Sequence, residues 1–246
     1  MDDAGLLERL HAAATAVADV LGDVTDWGLP GTRPGQYGVD LVADAAAVGV
    51  LEAAGLGVLS EESGAHGADR TIVVALDPVD GSTNASRRIP WYATSLCAVD
   101  EEGPRASVVV NQASGARYEA VRGGGARKDG RPIRSSECEQ LSQAIVAFSG
   151  YPRRYLGWSQ YRAFGAAALD LCAVAEGSLD AYATVGGSRL GCWDYLGGML
   201  VCTEAGAVVG ELGGLELVTL GHEDRRCPLA ASTPALLQAL GDVAAQ

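Results

Sequence analysis

The sequence predicts a mixed α/β (α+β) fold of stacked sheets and helices, and three observations carry that expectation. An amphipathic segment opens the chain, short strands follow through the first half, and strand and helix patterns alternate through the second. Strands in a run, then alternation, fit a layered architecture in two lobes. One domain is expected over residues 1–246, with an α+β lobe over about 1–140 and an α/β lobe over about 141–246.

Each element has its own signal. Leu6, Leu7, Leu10, Ala13, Ala14, Val17, Val20 and Leu21 recur at helical spacing and predict a helix over 2–21, closed by Gly22. Residues 23–38, rich in Gly, Pro and Thr, read as a loop, and the Ala-rich 41–54 as a helix. A strand is expected near 56–60, then a turn-like stretch over 63–69. The β-branched run 71–76 predicts a buried strand, which Asp77-Pro78 should stop. Strands near 93–99, 105–111 and 116–121 precede a hairpin turn at Asp129-Gly130. The second half reads as strand 144–148, helix 166–176, strand 179–184, helix 195–205, strands 207–210 and 229–231, and a last helix 234–244.

Composition narrows the function. Hydrophobic residues make up 48% of the 246, ample for a large core. No apolar run reaches the roughly 18 residues of a membrane span. The first residues lack the basic start and apolar centre of a signal peptide, so a cytoplasmic enzyme is expected. A net charge of -13 speaks against a nucleic-acid groove, which needs clustered cations. It leaves room for a phosphate substrate if divalent cations supply the positive charge. The six cysteines show no C-x-x-C pair and read as reduced, packed thiols. His11, His66 and His222 are scattered and read as surface residues, and no G-x-S-x-G segment is present.

Acidic residues concentrate in three places: Ser60-Glu61-Glu62-Ser63 after a predicted strand, the segment from Asp77 to Asn84, and Trp193-Asp194 opening a helix. Asp77 stands at a strand end and Asp80 follows three residues later. Two carboxylates so close repel unless a cation lies between them. Hard divalent cations take oxygen ligands, and the Val79 carbonyl between the two is a further candidate. Gly81 permits close backbone approach, and Ser82-Thr83-Asn84 read as a helix start whose free N–H groups attract an anion. The competing interpretation is structural: Asp77 and Asp80 as turn and cap residues, Asp194 as an ordinary helix cap, Glu62 as a solvated charge.

These segments resemble the inositol monophosphatase family, metal-dependent phosphomonoesterases related to fructose-1,6-bisphosphatase. The resemblance rests on S-E-E-S at 60–63, D-P-V-D-G-S-T-N at 77–84 and W-D-Y-L-G at 193–197, in that order. The stretch 165–182 and the 123–135 hairpin are also similar. The resemblance implies a layered αβαβα sandwich, a homodimer and two Mg²⁺ ions per site, with a third, weaker one in some members. It implies that Glu61, Asp77 and the Val79 carbonyl hold one metal, and that Asp77, Asp80 and Asp194 hold another. The N–H groups of Gly81 and Ser82 would bind phosphate. Ser82 stands where the family has a threonine that orients the attacking water.

Two departures bear on the detail. The family's D-L-V-T-x-x-D segment is here Asp40-Leu41-Val42-Ala43-Asp44, shorter by two residues, with Gln36 and Tyr37 where a lysine is common. Asp44 is the candidate partner for the Ser82 hydroxyl, and Glu62 and the upstream acids are candidates to support a third metal. Thr184 takes the place of a substrate-contacting glutamate, and Ala167 is expected to line the substrate pocket together with Asp80 and Asp194. The expected reaction is hydrolysis of a small phosphorylated metabolite by in-line attack of a metal-activated water, with Glu61, Ser82 and Asp44 handling its proton. The substrate is inositol monophosphate-like or a sugar phosphate; histidinol phosphate, a bisphosphate or a nucleotide 3'-phosphate are the alternatives, and a silent regulatory relative is the rival outside catalysis.

Overall fold

The computed structural model describes residues 1–28, 30–32 and 36–244. Asp2 caps the first helix, α1 (Asp3–Gly22), by accepting the Gly5 N–H at 2.9 Å. α2 (Gly38–Ala53) begins earlier than the apolar pattern predicts. The Asp40 carboxylate accepts the Tyr37 N–H at 2.9 Å and so closes the first turn ahead of the apolar face.

β1 (Gly57–Ser60) folds back into β2 (Gly64–His66), a short antiparallel partner in the stretch read as a turn. β3 (Val73–Asp80) lies parallel to β1; α3 (Ser82–Ser86) leads from it towards β4 (Ala93–Asp100), its antiparallel neighbour. The expected stop at Asp77-Pro78 is not observed: the strand runs on to Asp80. Asp77 pairs with Ser95 and Asp80 with Ala93, so Pro78 and Val79 together stand opposite Thr94. This is a β-bulge, placed where the missing N–H of proline forfeits no ladder bond. The Thr94 hydroxyl donates to the Pro78 carbonyl at 2.9 Å and secures it.

β5 (Gly103–Asn111), β6 (Arg117–Val121), β7 (Gly125–Lys128) and β8 (Arg131–Pro132) extend this first sheet by hairpins, in the order β2-β1-β3-β4-β5-β6-β7-β8. Asp129 and Gly130, with φ of 50° and 73°, make the expected β7–β8 turn.

The second sheet comprises β9 (Ile145–Ser149), β10 (Gln160–Arg162), β11 (Ala181–Thr184), β12 (Val208–Glu211) and β13 (Pro228–Ala231), ordered β10-β9-β11-β13-β12. Edge strand β10 has no sequence signature, because its exposed Gln160 and Tyr161 show no alternation of burial. α4 (Ala167–Ala175) and α5 (Cys192–Glu204) connect through this half, and α6 (Pro234–Ala244) follows β13. α5 starts earlier than the 195–205 expectation because Asp194 accepts the Gly191 N–H at 2.7 Å.

The layers follow from which faces are apolar. Leu6, Val17 and Leu51 of α1 and α2 pack on Val74, Leu76, Leu96 and Val108, one face of the first sheet. Ala75, Cys97 and Val109 point the other way, onto Leu171, Tyr195 and Leu196 of α4 and α5, which also meet Ala147, Tyr182 and Ala230 of the second sheet. Leu236 and Leu240 of α6 cover the far side with Phe148, Ala183 and Leu229. The result is an αβαβα sandwich. All six cysteines are free, Cys97, Cys172, Cys192 and Cys202 being buried. Among the described residues no helix is long and apolar enough to cross a membrane.

Candidate active site

Strand register brings the first two carboxylates together. Parallel β1 and β3 pair Ser60 with Leu76, and the Glu61 N–H donates to the Leu76 carbonyl at 3.1 Å. Glu61 and Asp77 are therefore the next pair along, Glu61 just past the end of β1 and Asp77 at the bulge of β3. Asp77 is 1% exposed, and its Oδ1 accepts the Val79 N–H at 2.9 Å across the bulge. The bulge then delivers Asp80, whose Oδ2 accepts the Ala168 N–H at 2.7 Å in the first turn of α4.

The fourth carboxylate arrives on α5. Ser95, the ladder partner of Asp77, donates its hydroxyl to the Trp193 carbonyl at 3.0 Å, fixing the turn that carries Asp194. Gly197 permits the close approach: a Cβ there would lie 2.8 Å from the Ser95 Oγ. As a result, ligand atoms of Glu61, Asp77 and Asp194 lie within 4.8 Å of one another.

This cluster carries more negative charge than its surroundings balance. Burial, then Glu61, Asp80 and Asp194, push the Asp77 carboxyl well above its usual range. Burial is also the main cause that raises Asp80 to about 8, with Asp170 and Glu61 adding to it. Asp194 is raised to about 7 by burial and by Asp80. Oxygen-only donors, crowded and desolvated, fit a hard divalent cation, which would return these groups to their charged forms.

Gly81 follows with φ 88°, ψ 35°, the left-handed conformation that glycine tolerates, and opens α3. The Asn84 side-chain amide ties this turn to the second half of the chain, donating to the Trp91 and Phe164 carbonyls at 2.8 and 2.6 Å. Beside it lies a cleft of about 300 Å³ lined by Asp80, Asp194, Ala167, Gly165, Ser149 and Ser188. Its volume is at the small end for ligand cavities.

Other expected residues are placed differently. Asp44 does not meet the Ser82 hydroxyl: it accepts a hydrogen bond from the Ser60 hydroxyl, which in turn accepts the Glu62 N–H at 3.0 Å. Two residues fewer in the 40–44 segment leave Asp44 inside α2, facing the base of the Glu61–Glu62 turn. Asp40 is buried, raised to about 6 by burial and the nearby Glu62, and its Oδ1 has no hydrogen-bond partner among the described residues. Glu62 accepts a hydrogen bond from the Gln36 amide. Thr184 is fully buried with its hydroxyl 3.2 Å from that of Tyr182, and it borders a separate cavity with Arg189 rather than the cleft.

Two residues at the site carried no signal. Asp170 accepts the Trp91 indole N–H at 2.8 Å and acts electrostatically on Asp80. His222, read as a surface residue, packs on Trp193 and approaches the Glu61 carbonyl. These contacts join positions 79 and 161 residues apart, beyond any local pattern.

Alternating helical and sheet layers, with carboxylates gathered beside a left-handed glycine turn, define an αβαβα protein with an acidic site suited to a divalent cation. The sequence profile of the inositol monophosphatase family matches residues 39–242, and the chain belongs to that family. It is 36% identical over 182 residues to the fructose-1,6-bisphosphatase/inositol-1-monophosphatase of Archaeoglobus fulgidus, covering 72% of this chain and 71% of that one. It is 30% identical over 200 residues to Nus factor SuhB of Salmonella typhimurium, covering 74% and 71%. The inositol monophosphatase of Anabaena (Nostoc) superposes with a TM-score of 0.80 at 26% identity, over 97% of this chain and 96% of that one. Membership supports a phosphatase.

Proposed function

We propose that this protein is a Mg²⁺-dependent phosphatase acting on a small phosphate monoester, inositol monophosphate-like or a sugar phosphate. The carrying observation is the convergence of Glu61, Asp77 and Asp194 within 4.8 Å, beside the Gly81 turn and a small polar cleft. With Asp80 and the Val79 carbonyl, these residues would hold two Mg²⁺ ions, and Glu62 and Asp40 would support a third. Bound there, divalent cations supply Lewis-acid chemistry, acidifying water and neutralising charge on the phosphoryl oxygens.

The chain contributes the rest. The N–H groups of Gly81 and Ser82 bind phosphate oxygens at the start of α3. Glu61 accepts the proton of the attacking water, which the Ser82 hydroxyl orients. Asp44 acts at one remove, shaping the Glu61–Glu62 turn through Ser60. Asp80, Asp194 and Ala167 border the alcohol part of the substrate. The same reading takes the protein as a cytoplasmic homodimer, which sedimentation velocity checks for assembly.

The test is a panel of inositol 1-phosphate, fructose 1,6-bisphosphate, histidinol phosphate and a nucleotide 3'-phosphate, assayed for phosphate release in Mg²⁺ and in EDTA. Release confined to Mg²⁺ supports the reading. Undiminished release in EDTA removes the metal from it. No release from any ester would favour a catalytically silent, regulatory role.

A further inference from the structure

The segment between β12 and β13, residues 212–227, returns to the site, and the mechanism above makes no use of it. It is braced against the residues around the start of α5. The Tyr195 hydroxyl donates to the Leu217 carbonyl at 2.6 Å, and Leu190 and Arg226 exchange two backbone hydrogen bonds of 2.9 Å. The Thr219 hydroxyl donates to Asp224, and Arg225 Nη1 donates to the carbonyls of His222 and Asp224 at 2.7 and 2.9 Å.

This frame presents His222. Its ring lies 4.9 Å from that of Trp193 at an interplanar angle of 38°, and the Arg225 guanidinium stands 5.2 Å from the same indole. The His222 Nε2–H donates to the Glu61 carbonyl at 3.3 Å. The Glu61 N–H is already held by Leu76 of β3 at 3.1 Å. Glu61 is thus gripped from both sides of its backbone, once by the first sheet and once by a loop attached to α5.

We propose that His222 is a positioning residue that clamps the Glu61 backbone to the Trp193–Asp194 turn and so sets the spacing of two of the three clustered carboxylates. Mutual repulsion drives Glu61 and Asp194 apart when no cation separates them. A clamp made through the backbone and a neighbouring indole holds them close without consuming a carboxylate oxygen. Cation binding then spends less free energy on drawing the ligands together. The inference rests on Glu61, Asp77 and Asp194 being a cation site.

Mn²⁺ serves as the probe, because free Mn²⁺ is counted directly by electron paramagnetic resonance. His222→Phe keeps a ring against Trp193 and loses the donor; His222→Gln restores a donor. His222→Phe should raise the Mn²⁺ dissociation constant about tenfold, the low end for residues behind metal ligands. The metal-free melting temperature should stay close to wild type, and His222→Gln should recover part of the affinity. Wild-type affinity in both variants overturns the clamp, as does a lowered melting temperature with affinity unchanged, which is a purely structural role. If the wild type binds no Mn²⁺, or binds it equally well after Glu61→Gln, the cation site fails and the clamp with it. His222 variants matching a wild type that does bind through Glu61 remove the clamp alone.

Discussion

Replacing Asp77 by Asn removes one charge from the most buried member of the carboxylate cluster and leaves its shape. The amide oxygen can still accept the Val79 N–H that now reaches Asp77 Oδ1 at 2.9 Å. Ligand atoms of Glu61 and Asp194 lie within 4.8 Å of Asp77, and unit charges at that separation repel by about 3.5 kcal/mol at an effective dielectric constant of about 20. Burial and those neighbours raise the folded-state pKa of Asp77, so the folded protein holds its proton to higher pH than the unfolded chain does. The sign follows: metal-free stability falls as pH rises above the unfolded value near 4, and the cost is complete only above the raised pKa. Asn carries no such cost. In EDTA at pH 8, Asp77→Asn should therefore be more stable than wild type by about 2–4 kcal/mol, and the gain should vanish near pH 4. Urea unfolding at the two pH values measures it. In Mg²⁺ the order should reverse, because wild type gains binding energy the variant lacks. Phosphate release should fall by more than about a hundredfold, beyond the usual loss for residues behind metal ligands. A variant that is less stable than wild type in EDTA at pH 8, or that turns over normally, would refute the argument.

Two further perturbations separate backbone from charge. Gly81→Ala forces a side chain into the left-handed region, with Cβ 3.1 Å from Ala166 Cβ and from the Gly165 and Trp91 carbonyls. It should cost about 1–2 kcal/mol or more in thermal unfolding and abolish turnover, and a variant with wild-type melting and activity would contradict the assigned role of the turn. Asp170 is fully buried and raised to about 7, chiefly by burial, so its contribution to stability falls as pH climbs from about 4 to about 7. Asp170→Asn should stabilise the protein by about 1–3 kcal/mol at pH 8 and destabilise it near pH 4, since the new amide N–H₂ replaces an oxygen that has no partner among the described residues. Parallel stability curves for the two proteins between those pH values would exclude it.

Local pattern accounts for much of this molecule. The apolar spacing of α1, the β-branched run of β3 and the Asp129-Gly130 turn each depend on contacts within a few residues, and each is legible in the chain. The 77–84 and 193–197 segments carry enough chemistry and family likeness to single out Asp77, Asp80 and Asp194 before any fold is known. Tertiary structure alone decided that β3 passes through Pro78, since a bulge exists only relative to β4. It alone paired Asp44 with Ser60, buried Thr184 against Tyr182 and brought His222 to Glu61. Those outcomes depend on strand register and on where a helix docks. Both are settled by burial of apolar surface over the whole core, a quantity no short stretch of sequence contains.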